Sequence, residues 1–113
     1  MKKFVVLYHA PATAMEQMMQ NTTPEDAKKG MEGWMTWAQK CGEGLVDLGN
    51  PLAGGQRLSP AGSTSSDKEV TGYSILQAEN MDAAKALLQG HPHLGWNAEC
   101  AIELHEVMPL PGS

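Results

Sequence analysis

The sequence predicts an α+β domain of the ferredoxin-like kind, with the order β-α-β-β-α-β and a four-stranded antiparallel sheet. Three observations carry this expectation. The 113 residues suffice for one domain, expected to span 1–113. An apolar content of 42% with 19% charged residues belongs to a chain with its own core rather than a disordered one. Four segments have strand chemistry and two have capped, helix-period patterns, in the order a split βαβ fold requires.

The elements follow in turn. Residues 3–8 combine β-branched and aromatic side chains and run toward Pro11, which predicts the first strand. The five apolar residues Phe4 to Tyr8 fall short of the roughly seven that a secretory leader needs, so a cytoplasmic protein is expected. Residues 10–22, small and polar with Met15, Met18 and Met19, fit a short helix, a lid or a partner-docking surface. A helix is predicted over 24–41. Thr23 is its cap, Pro24 its first residue, and Asp26 complements its dipole. Its apolar stripe is Ala27, Met31, Trp34, Met35, Ala38 and Cys41, and Gly42 and Gly44 end it. Residues 44–49 form a short strand. The Gly-, Pro- and Ser-rich stretch 50–68 reads as a long surface connection. A third strand covers 69–78. Asn80 caps a second helix over 81–89, with Ala84, Leu87 and Leu88 inward and Gly90 at its end. The alternation over 99–108 predicts the last strand, followed by a short tail.

Such a sheet carries helices on one face only. The first strand is apolar on both, since Val5 and Leu7 oppose Phe4, Val6 and Tyr8. A second copy covering the open face is the simplest solution, so a homodimer is expected.

Eight basic and thirteen acidic residues give a net charge of −5, with Arg57 the one arginine. That balance excludes sequence-independent nucleic-acid binding. No run approaches the ~20 apolar residues of a membrane-spanning helix. Cys41 and Cys100 have neither disulfide-framework nor zinc spacing and read as small buried apolar residues. Phosphate-loop, dinucleotide and nucleophile-elbow motifs are missing from the sequence, and no cofactor is expected.

The residues that could carry chemistry form three groups. His91 and His93 flank Pro92 just past a helix end. Two imidazoles on a stiff turn suit general acid and base roles, or else a helix-end cap with edge packing. Glu99 would complete a metal set with them, but the spacing matches no metal signature, so none is expected. On the last strand Glu103 and His105 share a face, where the carboxylate can orient the imidazole or simply be solvated. The aromatic group comprises Trp34, read as core, Trp37 beside Gly30 and Gly33 at the stripe edge, and Trp96 near the histidine pair. Tyr8 and His9, closing the first strand, reach toward the same region, and Tyr73 adds a further wall. Arg57 is either an anion clamp or a solvated charge.

Residues 72–110, the segment Trp34-Met-Thr-Trp-Ala38 and the segment Gly49-Asn-Pro-Leu52 together resemble the YCII-related family in its DGPF-like branch. The similarity covers roughly 3–110. It implies a dimeric α+β barrel in which two sheets pack face to face. It also implies lyase or dehydrochlorinase chemistry on small aromatic compounds by a histidine–aspartate pair. The family's aspartate, before a proline after the second helix, corresponds to His91, and its histidine falls near Met31. The function expected is that of a cofactor-free lyase, isomerase or dehydrochlorinase for a small aromatic metabolite. His91 or His93 would move the proton, and Trp96, Trp37 and Tyr73 would wall the pocket. The alternatives are a binding module without turnover and a protein-interaction dimer.

Overall fold

The structure, a computed structural model, describes residues 1–11, 23–65, 70–96 and 98–111, and for Trp96 the backbone only. Residues 12–22 of the methionine segment, expected as a helix, a lid or a partner-docking surface, lie outside the described residues. The elements are β1 (Lys2–His9), α1 (Pro24–Cys41), β2 (Leu45–Asp47), β3 (Gln56–Ser59), β4 (Gly62–Ser65), β5 (Val70–Ala78), α2 (Met81–Leu87), α3 (Pro92–Trp96) and β6 (Ala101–Glu106). The main sheet has the order β2-β5-β1-β6 with every neighbouring pair antiparallel. That is the ferredoxin-like arrangement the sequence predicts.

The start of α1 is fixed by a reciprocal cap. Thr23 Oγ1 accepts from the Asp26 amide at 3.1 Å, and the Asp26 carboxylate accepts from the Thr23 amide at 3.5 Å. The two central strands alternate as read. Phe4, Val6 and Tyr8 of β1 and Ser74, Leu76 and Ala78 of β5 are buried toward the helices, with Phe4 opposite Leu76 and Val6 opposite Ser74. Trp37, Cys41, Ala84 and Leu88 close the core above them. Full burial of a side chain such as Phe4 or Leu76 contributes roughly 1.5–3 kcal/mol. The buried hydroxyls are satisfied in series. Ser74 Oγ donates to the Leu48 carbonyl at 2.6 Å and accepts from Tyr8 Oη at 2.8 Å. Burial pushes the Tyr8 phenol up to about 12, so it remains a donor across the physiological range.

Several expectations change. The 50–68 connection contains the β3–β4 hairpin, exposed along its length, because strand pairing there rests on backbone bonds rather than apolar alternation. The second helix stops at Leu87, and α3 follows the histidine turn. On α1, Trp37 is the core tryptophan at 3% exposure and Trp34 only half-buried, while Met31 and Met35 are 55% and 47% exposed. The cause is the Leu87 carbonyl, which accepts from Trp37 Nε1 at 2.8 Å and from Cys41 Sγ at 3.8 Å and turns that side of the helix inward. Cys41 is buried as expected, whereas Cys100 is only half-buried.

Gly49 is a point of no tolerance. Its φ is +82°, and a Cβ there would lie 1.7 Å from the Tyr73 carbonyl oxygen. Left-handed backbone alone costs alanine about 1–2 kcal/mol. The clash also forces the chain leaving β2 away from β5. Gly49→Ala is therefore expected to lower Tm by about 10 °C or more, read by thermal denaturation.

Candidate functional site

The sheet separates two histidine groups that meet at one residue, His9. On the helix side, Gly90 (φ +72°) turns the chain out of α2 and delivers His91, Pro92 and His93 behind the end of β1. His91 and His93 are 2% and 5% exposed. His91 Nδ1 accepts from the His93 amide at 3.0 Å, which leaves the proton on Nε2. Among the described residues that Nε2 has no hydrogen-bond partner. Its ring is boxed by Trp37, Trp34 and Tyr8 at centroid distances of 4.4, 4.5 and 5.0 Å. Burial first, and the neighbouring His93 second, lower its pKa to about 4. His93 Nε2 donates to the His9 carbonyl at 2.8 Å.

The His91 shift has a sign. The unfolded imidazole binds its proton near 6.5 and the folded one near 4, so between those values the unfolded chain takes up protons that the folded chain refuses. The folded state is intact on this account above pH 6.5 and loses stability as pH falls toward 4, by at most about 3 kcal/mol. His91→Asn keeps an acceptor for the His93 amide but cannot titrate. Urea denaturation is expected to show a smaller loss between pH 7 and 4.5 in that variant than in the parent.

On the open face the β1–β6 register places His105 opposite Val5, Glu103 opposite Leu7 and Ala101 opposite His9. Glu103 thus stands between an imidazole two residues along its own strand and another diagonally across on β1. Its Oε1 accepts from His105 Nε2 at 3.0 Å. Its Oε2 lies 3.3 Å from His9 Nε2, within ion-pair distance but not aligned for a hydrogen bond. Glu103 and His105 are exposed, His9 half-buried. Beside them lies a floor of half-buried Val5, Leu7, Tyr73 and Ile75, with Leu7 paired to Tyr73 and Val5 to Ile75.

The single pocket expected from the sequence is therefore divided. Tyr8, Trp37, His91 and His93 gather on the helix side, and His9, Tyr73, Glu103 and His105 on the open side. Tyr73 is an outward position of β5, on the open face, whereas Trp37 comes from α1 and packs in the core on the helix side. Trp37 is a core residue rather than a site wall, and the Trp96 side chain lies outside the description. Arg57, on β3, is exposed. The sequence reading missed the pairing of His9 with Glu103, which only the β1–β6 register supplies. Separately, a groove of about 440 Å³ runs between α2, α3 and β6, lined by Met81, Leu88, Leu94, Ile102 and Leu104 with Lys85 and Gln89. Among the described residues no group of three His, Cys, Asp or Glu is arranged to hold a metal ion. No helix there is long and apolar enough to cross a membrane.

Against known proteins, the family model described as YCII-related domain matches residues 1–109. A similar solved structure is 5-chloro-2-hydroxyhydroquinone dehydrochlorinase from Burkholderia phenoliruptrix AC1100, in complex with 2,5-dihydroxybenzoquinone. It has a TM-score of 0.49 and 11% identity, with 91% of each chain covered. No curated protein matches the sequence.

Proposed function

Because the chain belongs to the YCII-related domain family, we propose that it is a cofactor-free enzyme moving protons on a small aromatic metabolite, as a lyase, isomerase or dehydrochlorinase. The reaction takes place on the open face of the sheet, and a second copy of the chain closes over it. The observation that supports this is Glu103, whose two oxygens meet two imidazoles beside the apolar floor of Val5, Leu7 and Ile75.

The chemistry follows from the atoms. With its Nε2–H donated to Glu103, His105 offers Nδ1 as a base toward an acidic C–H or O–H. The carboxylate stabilises the imidazolium that forms. His9, on the other oxygen, is the second proton-carrying group and returns a proton to the product or leaving group. Val5, Leu7 and Ile75 give a flat ring an apolar bed, and the Tyr73 hydroxyl gives it one polar contact. A second copy excludes water and strengthens each of these charges. His91 and His93 lie behind this face and are not the groups that touch substrate.

The second reading is a binding module without turnover, favoured by Met31 standing where the family resemblance places a histidine.

The test is deuterium incorporation from D₂O into small hydroxyaromatic compounds, together with chloride release from their chlorinated analogues. The parent is expected to catalyse one of these, and Glu103→Gln and His105→Ala to lower it by at least ~10²-fold. Retention of a compound without exchange or release would support the binding module. Undiminished turnover in both variants would sink the assignment of the site.

A further inference from the structure

His9 stands where β1 ceases to be regular. Tyr8 pairs with Gly72 but His9 pairs with Val70, so Thr71 is skipped and the ladder bulges. Bulges re-aim side chains, and this one sits at the residue whose imidazole meets Glu103. The irregularity is tied down by side chains. Thr71 Oγ1 donates to the Tyr8 carbonyl at 3.3 Å. The His9 carbonyl accepts at 2.8 Å from the ring of His93, 84 residues further along the chain. A carbonyl only accepts, so His93 Nε2 carries the proton in this contact.

The donor is itself held from two sides. The His93 amide donates to His91 Nδ1 at 3.0 Å, inside the aromatic box. Pro92 stiffens the turn and packs on α1, where a Cβ on Gly33 would come 3.5 Å from Pro92 Cβ. A rigid donor on the helix side therefore grips the backbone of His9, whose side chain projects from the opposite face toward Glu103, 3.3 Å away.

We propose that His93 is a positioning residue: its ring N–H fixes the His9 carbonyl at the bulge and thereby aims the His9 imidazole at Glu103 on the open face. This rests on the reading of that face as the reacting one, but the tether can be seen without any turnover. What it demands is a donor at the Nε2 position, not merely a ring-sized volume.

Two variants of the full chain separate these demands. His93→Gln places an amide N–H where Nε2 stands, and His93→Leu fills the space without a donor. The measurement is NMR of ring-¹⁵N-labelled protein, reading the His93 protonation pattern and the nuclear Overhauser contact between the His9 ring and the Glu103 side chain. In the parent, His93 Nε2 is expected to be protonated at neutral pH and the His9–Glu103 contact present. His93→Gln keeps that contact near parental intensity, and His93→Leu loses more than half of it. An unprotonated His93 Nε2 in the parent would overturn the proposal, as would an undiminished contact in His93→Leu or its loss in a folded His93→Gln. If His93→Leu fails to fold, the other two observations still decide. Glu103→Gln leaves the His93 protonation pattern unchanged. An inert enzyme with an intact tether therefore counts against the proposed reaction alone, and an active enzyme without a tether against this proposal alone.

Discussion

Replacing Trp37 by alanine is expected to remove about 3–5 kcal/mol of stability, the range for emptying a buried tryptophan site. A domain of this size has about 5–15 kcal/mol in all, so the variant should be largely unfolded at modest urea concentrations. Two losses combine. The indole is buried between Trp34 and His91, at centroid distances of 6.2 and 4.4 Å, and its removal leaves a cavity against the sheet. Its Nε1 is also the strongest donor to the Leu87 carbonyl at the end of α2. Trp37→Phe restores much of the volume but not the bond, and should lose about 1–3 kcal/mol. Trp34→Ala should cost less than Trp37→Ala, because Trp34 is only half-buried. The reverse order in urea titrations would contradict the packing described for α1.

The second large effect belongs to the open face. Leu7→Asp places a carboxylate at the centre of that face, directly opposite Glu103 on β6 and beside Tyr73 on β5. In one protomer the new charge meets water. Under a second copy it would be desolvated next to a like charge, at a cost of several kcal/mol. For the proposed dimer, the dissociation constant is expected to rise by at least ~10²-fold, which corresponds to about 2.7 kcal/mol. Sedimentation would follow this, and circular dichroism should show an unchanged fold. An unaltered assembly would mean that partners do not meet through this face.

Much of this architecture is legible in the chain because local chemistry and tertiary placement agree. The Thr23–Pro24 cap and Gly42 bound α1 at the residues observed. The alternation of Phe4, Val6 and Tyr8 against Val5 and Leu7 separates the two faces of β1. The β3–β4 hairpin escapes notice because its serines and glycines bury nothing and leave no periodic signal. The inward side of α1 is misread because the apolar stripe includes Trp34 and leaves Trp37 at its edge, whereas the Leu87 carbonyl, fifty residues away, anchors Trp37 in the core. At the site the same division holds. Glu103 and His105 share a face by simple alternation, and the sequence shows it. That His9 completes the group, and that His93 holds His9 from behind, depends on antiparallel register and on a bulge. Neither is encoded in spacing along one strand.

Native mass spectrometry of the protein as purified would reveal whether the proposed open-face site holds a small molecule under a second copy of the chain. The expected result is a homodimer that retains a small molecule, and a Leu7→Asp monomer that retains none. A monomeric parent, or a Leu7→Asp monomer holding the same molecule, would contradict it.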